Sequence, residues 1–338
     1  MNKLNNPQLQ TSVNKEDEFQ YFSFRGKGLE LFAIFLKNIL LILLTFGFYF
    51  PYAKTNLRKY FWQNTYLNNE PFEYTGNGKE LLKGYIVSFV IFGGIYLLNT
   101  FMQTISSSAV LWTQLGLGLL VFYFAPYVAF NSYRYMVKRT SFRGLSFSVN
   151  PQGITEFKKN FYKLILIPLT FGLYIPFWKV SLLKTLLKNT YYGQLRLSFK
   201  GDGGDLFGIH LKYLFLNIIT LGLSSSWYQA NLINFKIQNI SLLDGNGKKS
   251  RIETQLTGTD IFLANIAAIV VVLITLGLGT PWAILYYQKT ILDRITINGA
   301  INFDELTAHT FEEKANLYGE GVDDVLFEDM NIGLGFEL

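Results

Sequence analysis

Residues 24–51 read FRGKGLELFAIFLKNILLILLTFGFYFP, a glycine-rich turn, an acid at Glu30, about fifteen mostly apolar residues, then Thr45-Phe46-Gly47-Phe48 ahead of Pro51. Pieces of this stretch recur along the chain. The tetrad Thr-[Leu/Phe]-Gly-[Leu/Phe] returns at Thr170-Phe171-Gly172-Leu173, Thr220-Leu221-Gly222-Leu223 and Thr275-Leu276-Gly277-Leu278. An acid precedes each tetrad (Glu30, Glu156, Asp205, Asp260), and Asn64, Asn189, Asn239 or Arg294 follows it at one fixed offset. A diverged copy, Tyr74-Thr75-Gly76-Asn77-Gly78-Lys79-Glu80-Leu81, leads into two longer apolar blocks, 81–102 and 109–130. Fixed offsets of this kind indicate internal repeats.

Each unit has a physical reading. It opens on a short alternating segment (Tyr21–Phe24, Phe72–Tyr74, Leu145–Val149, Leu195–Phe199, Ile252–Leu256), the pattern of a half-buried strand, and Ile295–Ile301 closes the last unit. The acid falls in the first turn of a helix, where a carboxylate complements the exposed N–H groups and the dipole. Pro51, Pro176 and Pro281 suit the first turn of a second helix. The asparagines at its far end suit a C-terminal cap, on the argument that Asn tolerates left-handed backbone.

The chain has 338 residues, 50% hydrophobic, 17% aromatic and only 16% charged. That balance fits neither an average soluble domain nor a disordered chain. With no cysteine and two histidines, His210 and His309, it excludes disulfides, thiolate metal sites and a His-rich metal centre. The net charge of +6 is uneven: residues 303–338 hold ten acids against Lys314, a net of −9 that leaves +15 for the rest. Basic residues flanking apolar blocks suit anionic lipid headgroups as partners and argue against nucleic acid. Residues 1–20 are polar and show no cleavable signal.

The expected architecture is an α-helical polytopic membrane protein built from repeated strand–helix–turn–helix units with short cytoplasmic β-strands. Its organisation is a disordered polar segment 1–20, a transmembrane domain 21–302 (units about 21–71, 72–144, 145–194, 195–251, 252–302) and an acidic cytoplasmic tail 303–338. Hydropathy alone marks about six spans, near 31–50, 84–102, 111–130, 161–178, 208–224 and 261–286. Bases kept at the strand end of every unit favour helical hairpins, about ten helices in all; second helices lying at the interface would leave about six spans. Both termini are placed in the cytoplasm.

The set Phe22-x-x-x-Gly26-x-Gly28-x-Glu30-Leu31, Thr45-Phe46-Gly47-Phe48-Tyr49-x-Pro51 and Trp62-Gln63-Asn64-Thr65 resembles the YjgN-like family of bacterial inner-membrane proteins, over roughly residues 20–300. The resemblance implies a multi-pass location in a bacterial inner membrane. It brings no catalytic residue, substrate or cofactor. Ser224-Ser225-Ser226 in place of Tyr-x-Pro, and Arg294 in place of Asn, depart from the pattern.

Candidate site residues are the polar groups in or near the apolar blocks: Lys37, Asn38, His210, Lys212 and Asn217. Ionisable groups in hydrocarbon cost a few kcal/mol and usually face a bundle interior or a pathway. The plainer reading has Lys37 and Lys212 snorkelling to headgroups and His210 in a helix contact. No nucleophile, paired metal ligands or phosphate loop emerges, so no catalytic, metal or cofactor site is expected and the chain is read as a non-enzyme. Two functions stand: transport or binding of a small or lipidic molecule, or a membrane-anchored scaffold recruiting an unknown cytoplasmic protein through its strands and acidic tail.

Overall fold

A computed structural model describes residues 19–244, 247, 249–299, 301, 303 and 306. The chain begins β1 (Gln20–Phe24), α1 (Gly28–Leu44), α2 (Phe50–Gln63), β2 (Thr65–Leu67) and β3 (Glu70–Tyr74), then α3 (Gly78–Ile105), α4 (Ser107–Lys138), β4 (Thr140–Phe142) and β5 (Leu145–Val149). A 3₁₀ turn leads to α5 (Ile154–Phe161), α6 (Leu166–Leu169), α7 (Ile175–Lys188), β6 (Thr190–Tyr192) and β7 (Leu195–Phe199). The last third is α8 (Gly203–Ile219), α9 (Ser225–Gln238), β8 (Ile240–Leu243), β9 (Lys249–Thr254), α10 (Gly258–Ile274), α11 (Thr280–Leu292) and β10 (Ile295–Asn298).

The ten strands close into one antiparallel barrel in sequence order, sealed where β1 pairs with β10 (Gln20 opposite Ile297). Closure removes both edges, which exposed strands of three to six residues need to avoid pairing elsewhere. Alternation sorts the side chains. One apolar cluster takes a residue from every strand: Phe22, Leu67, Phe72, Phe142, Leu145 and Phe147, Tyr192, Leu195, Leu242, Ile252 and Ile297. That cluster fills the lumen. Tyr21, Glu73, Ser146, Arg251 and Glu253 lie on the alternate face and are exposed. An apolar interior with a polar exterior is the reverse of a lipid-facing barrel.

Strand order dictates where the helices go. In an up-and-down barrel alternate connections lie at opposite ends. The β2–β3, β4–β5 and β6–β7 connections are tight turns at one end, with Asn68-Asn69 and Arg143-Gly144 at positive φ, as two-residue hairpin turns with the right twist require. Every helical connection therefore leaves from the other end. At that junction the N–H groups of Arg25, Thr75, Asn150, Lys200 and Gln255 donate to the carbonyls of Asn64, Arg139, Asn189, Asn239 and Arg294, clamping each helix end to the strand exit. The asparagines at these ends have φ of −99° (Asn64), −97° (Asn189) and −88° (Asn239), so left-handed backbone is not their role. Each side-chain Nδ2 instead donates to the carbonyl four residues back, at 2.7–2.8 Å.

The expected helical polytopic architecture is corrected on two counts. The strands form a closed barrel, because β2, β4, β6 and β8 join the six anticipated ones and close the gaps between them; β10 also ends at Asn298, short of Ile301. Among the described residues only α3 and α4 are long and apolar enough to cross a membrane, against six expected spans; α10 is apolar but shorter. The physical reason is helix length. α1, α8 and α10 have 17 residues each, reaching about 25 Å against the ~30 Å of a hydrocarbon core. The segment 1–20 and the tail 303–338 lie outside the described residues apart from Phe19, Gln20, Phe303 and Leu306.

Candidate membrane-facing surface

The four Thr-x-Gly tetrads are the turns between α1 and α2, α6 and α7, α8 and α9, and α10 and α11. All four share one conformation, with Phe46, Phe171, Leu221 and Leu276 at φ 49–52° and the following glycines at 86–92°. Thr45 shows what the threonine does. Its Oγ1 donates to the Leu41 carbonyl at 2.7 Å and accepts from the Tyr49 N–H at 2.9 Å, joining the end of one helix to the start of the next. The remaining N–H groups are satisfied inside the turn: Phe46 to Leu43, Gly47 to Ile42, Phe48 to Thr45 and Phe50 to Gly47. The other three turns repeat this set, with Thr170, Thr220 and Thr275 accepting from Tyr174, Ser224 and Gly279.

These turns, with their N–H groups satisfied, carry the most exposed large apolar side chains among the described residues. Phe46, Phe171, Leu221 and Leu276 are 94, 97, 93 and 92% exposed. A large apolar residue in left-handed backbone is strained by about 1–3 kcal/mol and gains nothing from water. The exposure continues along the first helix of each hairpin, through Leu43 and Leu44, Ile218 and Ile219, and Leu273 and Ile274, and along α3 and α4 through Phe89, Tyr96, Leu115 and Leu119. Second helices face inward: α7 buries Val180, Leu182, Leu186 and Leu187, and α11 buries Leu285, Ile291 and Leu292. An apolar expanse this large on the surface of one chain marks contact with a membrane or another protein.

Two features join the hairpins to each other and to the barrel. The third residue of a second helix lies over the glycine that opens the next first helix: Tyr52 on Gly78, Phe177 on Gly203, Trp227 on Gly258 and, closing the ring, Trp282 on Gly28. A Cβ at Gly28 would meet the Trp282 indole at 2.1 Å. Acids in first turns pair with bases near the strand junction: Glu80 with Arg139 (2.8 Å), Glu156 with Lys188 (3.0 Å), and Asp260 with Arg294 (2.6 Å). Burial works against the charged form of Asp260, but bonds from Thr257 and the Arg294 guanidinium prevail and hold its carboxyl below the usual range. A belt of charge thus separates the barrel from the apolar hairpins.

The residues singled out from the sequence do not converge on one site. Asn38 is buried and donates to the Ala53 carbonyl (3.3 Å) while accepting from Asn56 (3.2 Å), fastening α1 to α2. Asn217 accepts from Ser224 Oγ at 2.5 Å within its own hairpin. His210 Nδ1 lies 2.8 Å from the Leu206 carbonyl, and the ring stands edge-on to Tyr228. Lys37 is exposed; Lys212 is exposed and lies 5.3 Å from the Tyr213 ring centroid. Among the described residues no three His, Asp or Glu side chains could hold a metal. Sequence reasoning passed over the four turn-tip residues themselves, although the tetrad was the signal that marks them.

Comparison with known proteins agrees with an inner-membrane setting for the relatives. The chain is 28% identical over 171 residues to the inner membrane protein YjgN of Salmonella typhimurium, covering 50% of this chain and 40% of that one. It is 30% and 32% identical over 129 residues to the proteins of that name in two Escherichia coli strains, covering 38% of this chain and 31% of each relative. The matched stretch spans less than half the length of these relatives. No solved structure matches. The sequence model of one family matches residues 19–219 and 214–325, and the chain therefore belongs to the family described as "Bacterial protein of unknown function (DUF898)".

Proposed function

We propose that the protein resides at the bacterial inner membrane and binds a lipidic molecule there without catalysis. The α3–α4 hairpin crosses the bilayer in this reading, and the shorter hairpins enter it as re-entrant elements, with the polar barrel and both termini on the cytoplasmic side. One observation carries it: at each of the four turns, every backbone N–H from the threonine to the residue five further on has a partner within the protein, while the side chain beside it is bare. Water would satisfy those groups at no cost, whereas hydrocarbon offers no partner and demands internal satisfaction. Moving four Phe or Leu tips into lipid contributes roughly 1.5–3 kcal/mol each. The filled lumen favours binding along the helices over passage through the barrel.

Single cysteines at positions 46, 171, 221 and 276 of this cysteine-free chain test the placement. In intact vesicles all four resist a membrane-impermeant maleimide and react once detergent is added. Labelling as fast as at Asn68 in the β2–β3 turn would sink the proposal. Native mass spectrometry of the detergent-extracted protein then reads retained lipid; a lipid-free protein with a measurable solute flux after reconstitution would favour a transporter. The scaffold reading keeps one supporting feature, the apolar residues after β10 that enter the barrel.

A further inference from the structure

The hairpin between β5 and β6 departs from its neighbours. α1, α8 and α10 are continuous helices of 17 residues, whereas α5 stops at Phe161 and continues as a 3₁₀ turn, Tyr162–Ile165. Lys158, Lys159 and Lys163 fall within this stretch, while α1 and α8 hold one lysine each and α10 none. The stretch packs on α4 in two matching rows, with Lys158 against Tyr127 and Tyr162 against Tyr123. Lys158 Nζ donates to the Tyr127 hydroxyl at 2.6 Å and stands 4.3 Å from the ring centroid. The Tyr162 hydroxyl donates to the Tyr123 carbonyl at 2.9 Å. Below them the buried rings of Phe130 and Phe157, 5.5 Å apart, fix the two elements together.

The Lys158 ammonium has donors to spare. Tyr127 takes one of its three N–H groups, and the Tyr127 hydroxyl, having accepted that bond, still has its own proton to give. No carboxylate balances the charge. Glu156, the nearest acid in sequence, is committed to Lys188 at 3.0 Å, and among the described residues none pairs with Lys158, Lys159 or Lys163. Between Glu80 and Glu156 the chain holds no acid at all. Depth supplies the second argument. From Ser107 to Tyr127 α4 carries no charged residue, and these roughly twenty residues rise about 30 Å, the thickness of a hydrocarbon core. With α3–α4 across the bilayer, Tyr127 and Lys158 reach the cytoplasmic headgroups, the level that tyrosine rings and lysine ammonium groups favour.

We propose that Lys158 and Tyr127, flanked by Lys159 and Lys163, bind the phosphate of an anionic phospholipid in the cytoplasmic leaflet. The site rests on the membrane placement of α3–α4 and names the headgroup of the lipid-binding reading. Ammonium N–H groups and the tyrosine hydroxyl donate to the phosphate oxygens in charge-assisted bonds, and a net negative headgroup offsets the lysines where a zwitterionic one does not. Full-length protein in detergent is titrated with phosphatidylglycerol, with phosphatidylcholine of the same acyl chains, or with inorganic phosphate, and native mass spectrometry counts the bound molecules. Phosphatidylglycerol is expected to bind about fivefold more tightly than phosphatidylcholine, the upper end of what one exposed ion pair supplies. Lys158→Gln abolishes that preference and Lys158→Arg keeps it. Lys212→Gln, at an exposed lysine of α8, keeps it too. Inorganic phosphate in excess leaves the lipid bound. No preference, a preference unmoved by Lys158→Gln, equal loss in either control variant, or displacement by inorganic phosphate would overturn the assignment. Because binding is read in detergent, such a result with the turn-tip cysteines still shielded strikes this site alone, whereas reactive cysteines strike the membrane placement.

Discussion

Replacing Gly258 by alanine tests whether the aromatic residues that lie over the opening glycines hold the ring of hairpins together. Gly258 opens α10 behind a complete capping box, in which Thr257 and Asp260 exchange bonds, so the helix start cannot slide to make room. A Cβ there would meet Trp227 Cδ1 at 2.1 Å and Cγ at 2.3 Å. Ordinary carbon contacts lie at about 3.5–4.0 Å, so the indole must retreat by more than ~1 Å. Its path is blocked by Phe262, whose ring centroid is 5.3 Å away. Overpacking of this kind costs about 1–3 kcal/mol. Two controls separate the clash from other glycine effects. Gly118 in α4 has open space around its Cβ position and an ordinary helical backbone, so Gly118→Ala should be neutral or stabilising by up to ~1 kcal/mol. Gly277 also has open space but φ of +92°, so Gly277→Ala should cost about 1 kcal/mol or more through backbone strain alone. Thermal unfolding of the three solubilised variants should rank Gly118→Ala above Gly277→Ala and Gly258→Ala. Trp227→Leu should then partly rescue Gly258→Ala but not Gly277→Ala, with a coupling of about 1 kcal/mol. A Gly258→Ala protein as stable as the Gly118→Ala protein, or equal rescue of both, would refute the interlock.

Thr275→Val removes the donor to the Val271 carbonyl and the acceptor for the Gly279 N–H together, and should lower stability by about 1–3 kcal/mol, while Thr275→Ser retains both; unfolding midpoints compare them. Asp260 has a folded pKa below its unfolded one, so the stability it supplies is complete above the unfolded carboxylate value of about 3.9 and is lost as pH falls through the folded value. Asp260→Asn should therefore be less stable than the wild type at pH 7, with the gap closing under acid; a gap that stays constant with pH contradicts the assignment. Lys249 is pushed down to about 8, first by neighbouring Lys200, then by loss of solvent and by Arg251. Competitive acetylation at pH 8 should modify it faster than an ordinary surface lysine, and Lys200→Gln should slow that reaction.

Much of the hairpin was legible in the sequence because its determinants are local. Glycine at positive φ, threonine bridging four residues back and four forward, proline opening a second helix, and an acid in a first turn each act within one or two turns of chain. The alternating strands β1, β3, β5, β7 and β9 were legible for the same reason, since five or six residues show a period of two. So was β10, within Ile295–Ile301, but β2, β4, β6 and β8 were not. Thr65–Leu67, Thr140–Phe142 and Thr190–Tyr192 have three residues each, too few to display any period, and they follow directly on helices.

Only the tertiary structure decided that those fragments close a barrel, because the decisive pairing joins Gln20 to Ile297, and such a bond leaves no mark on the local pattern at either end. It also decided which face of each strand is the inside, that Asn38 and Asn217 hydrogen-bond within their own hairpins, and that Phe303 packs onto the lumen cluster. Apolar composition by itself cannot tell a helix that crosses lipid from one that dips into it, since both need an oily surface. Length, set by where each Thr-x-Gly turn stops the helix, is what separates α3 and α4 from the rest.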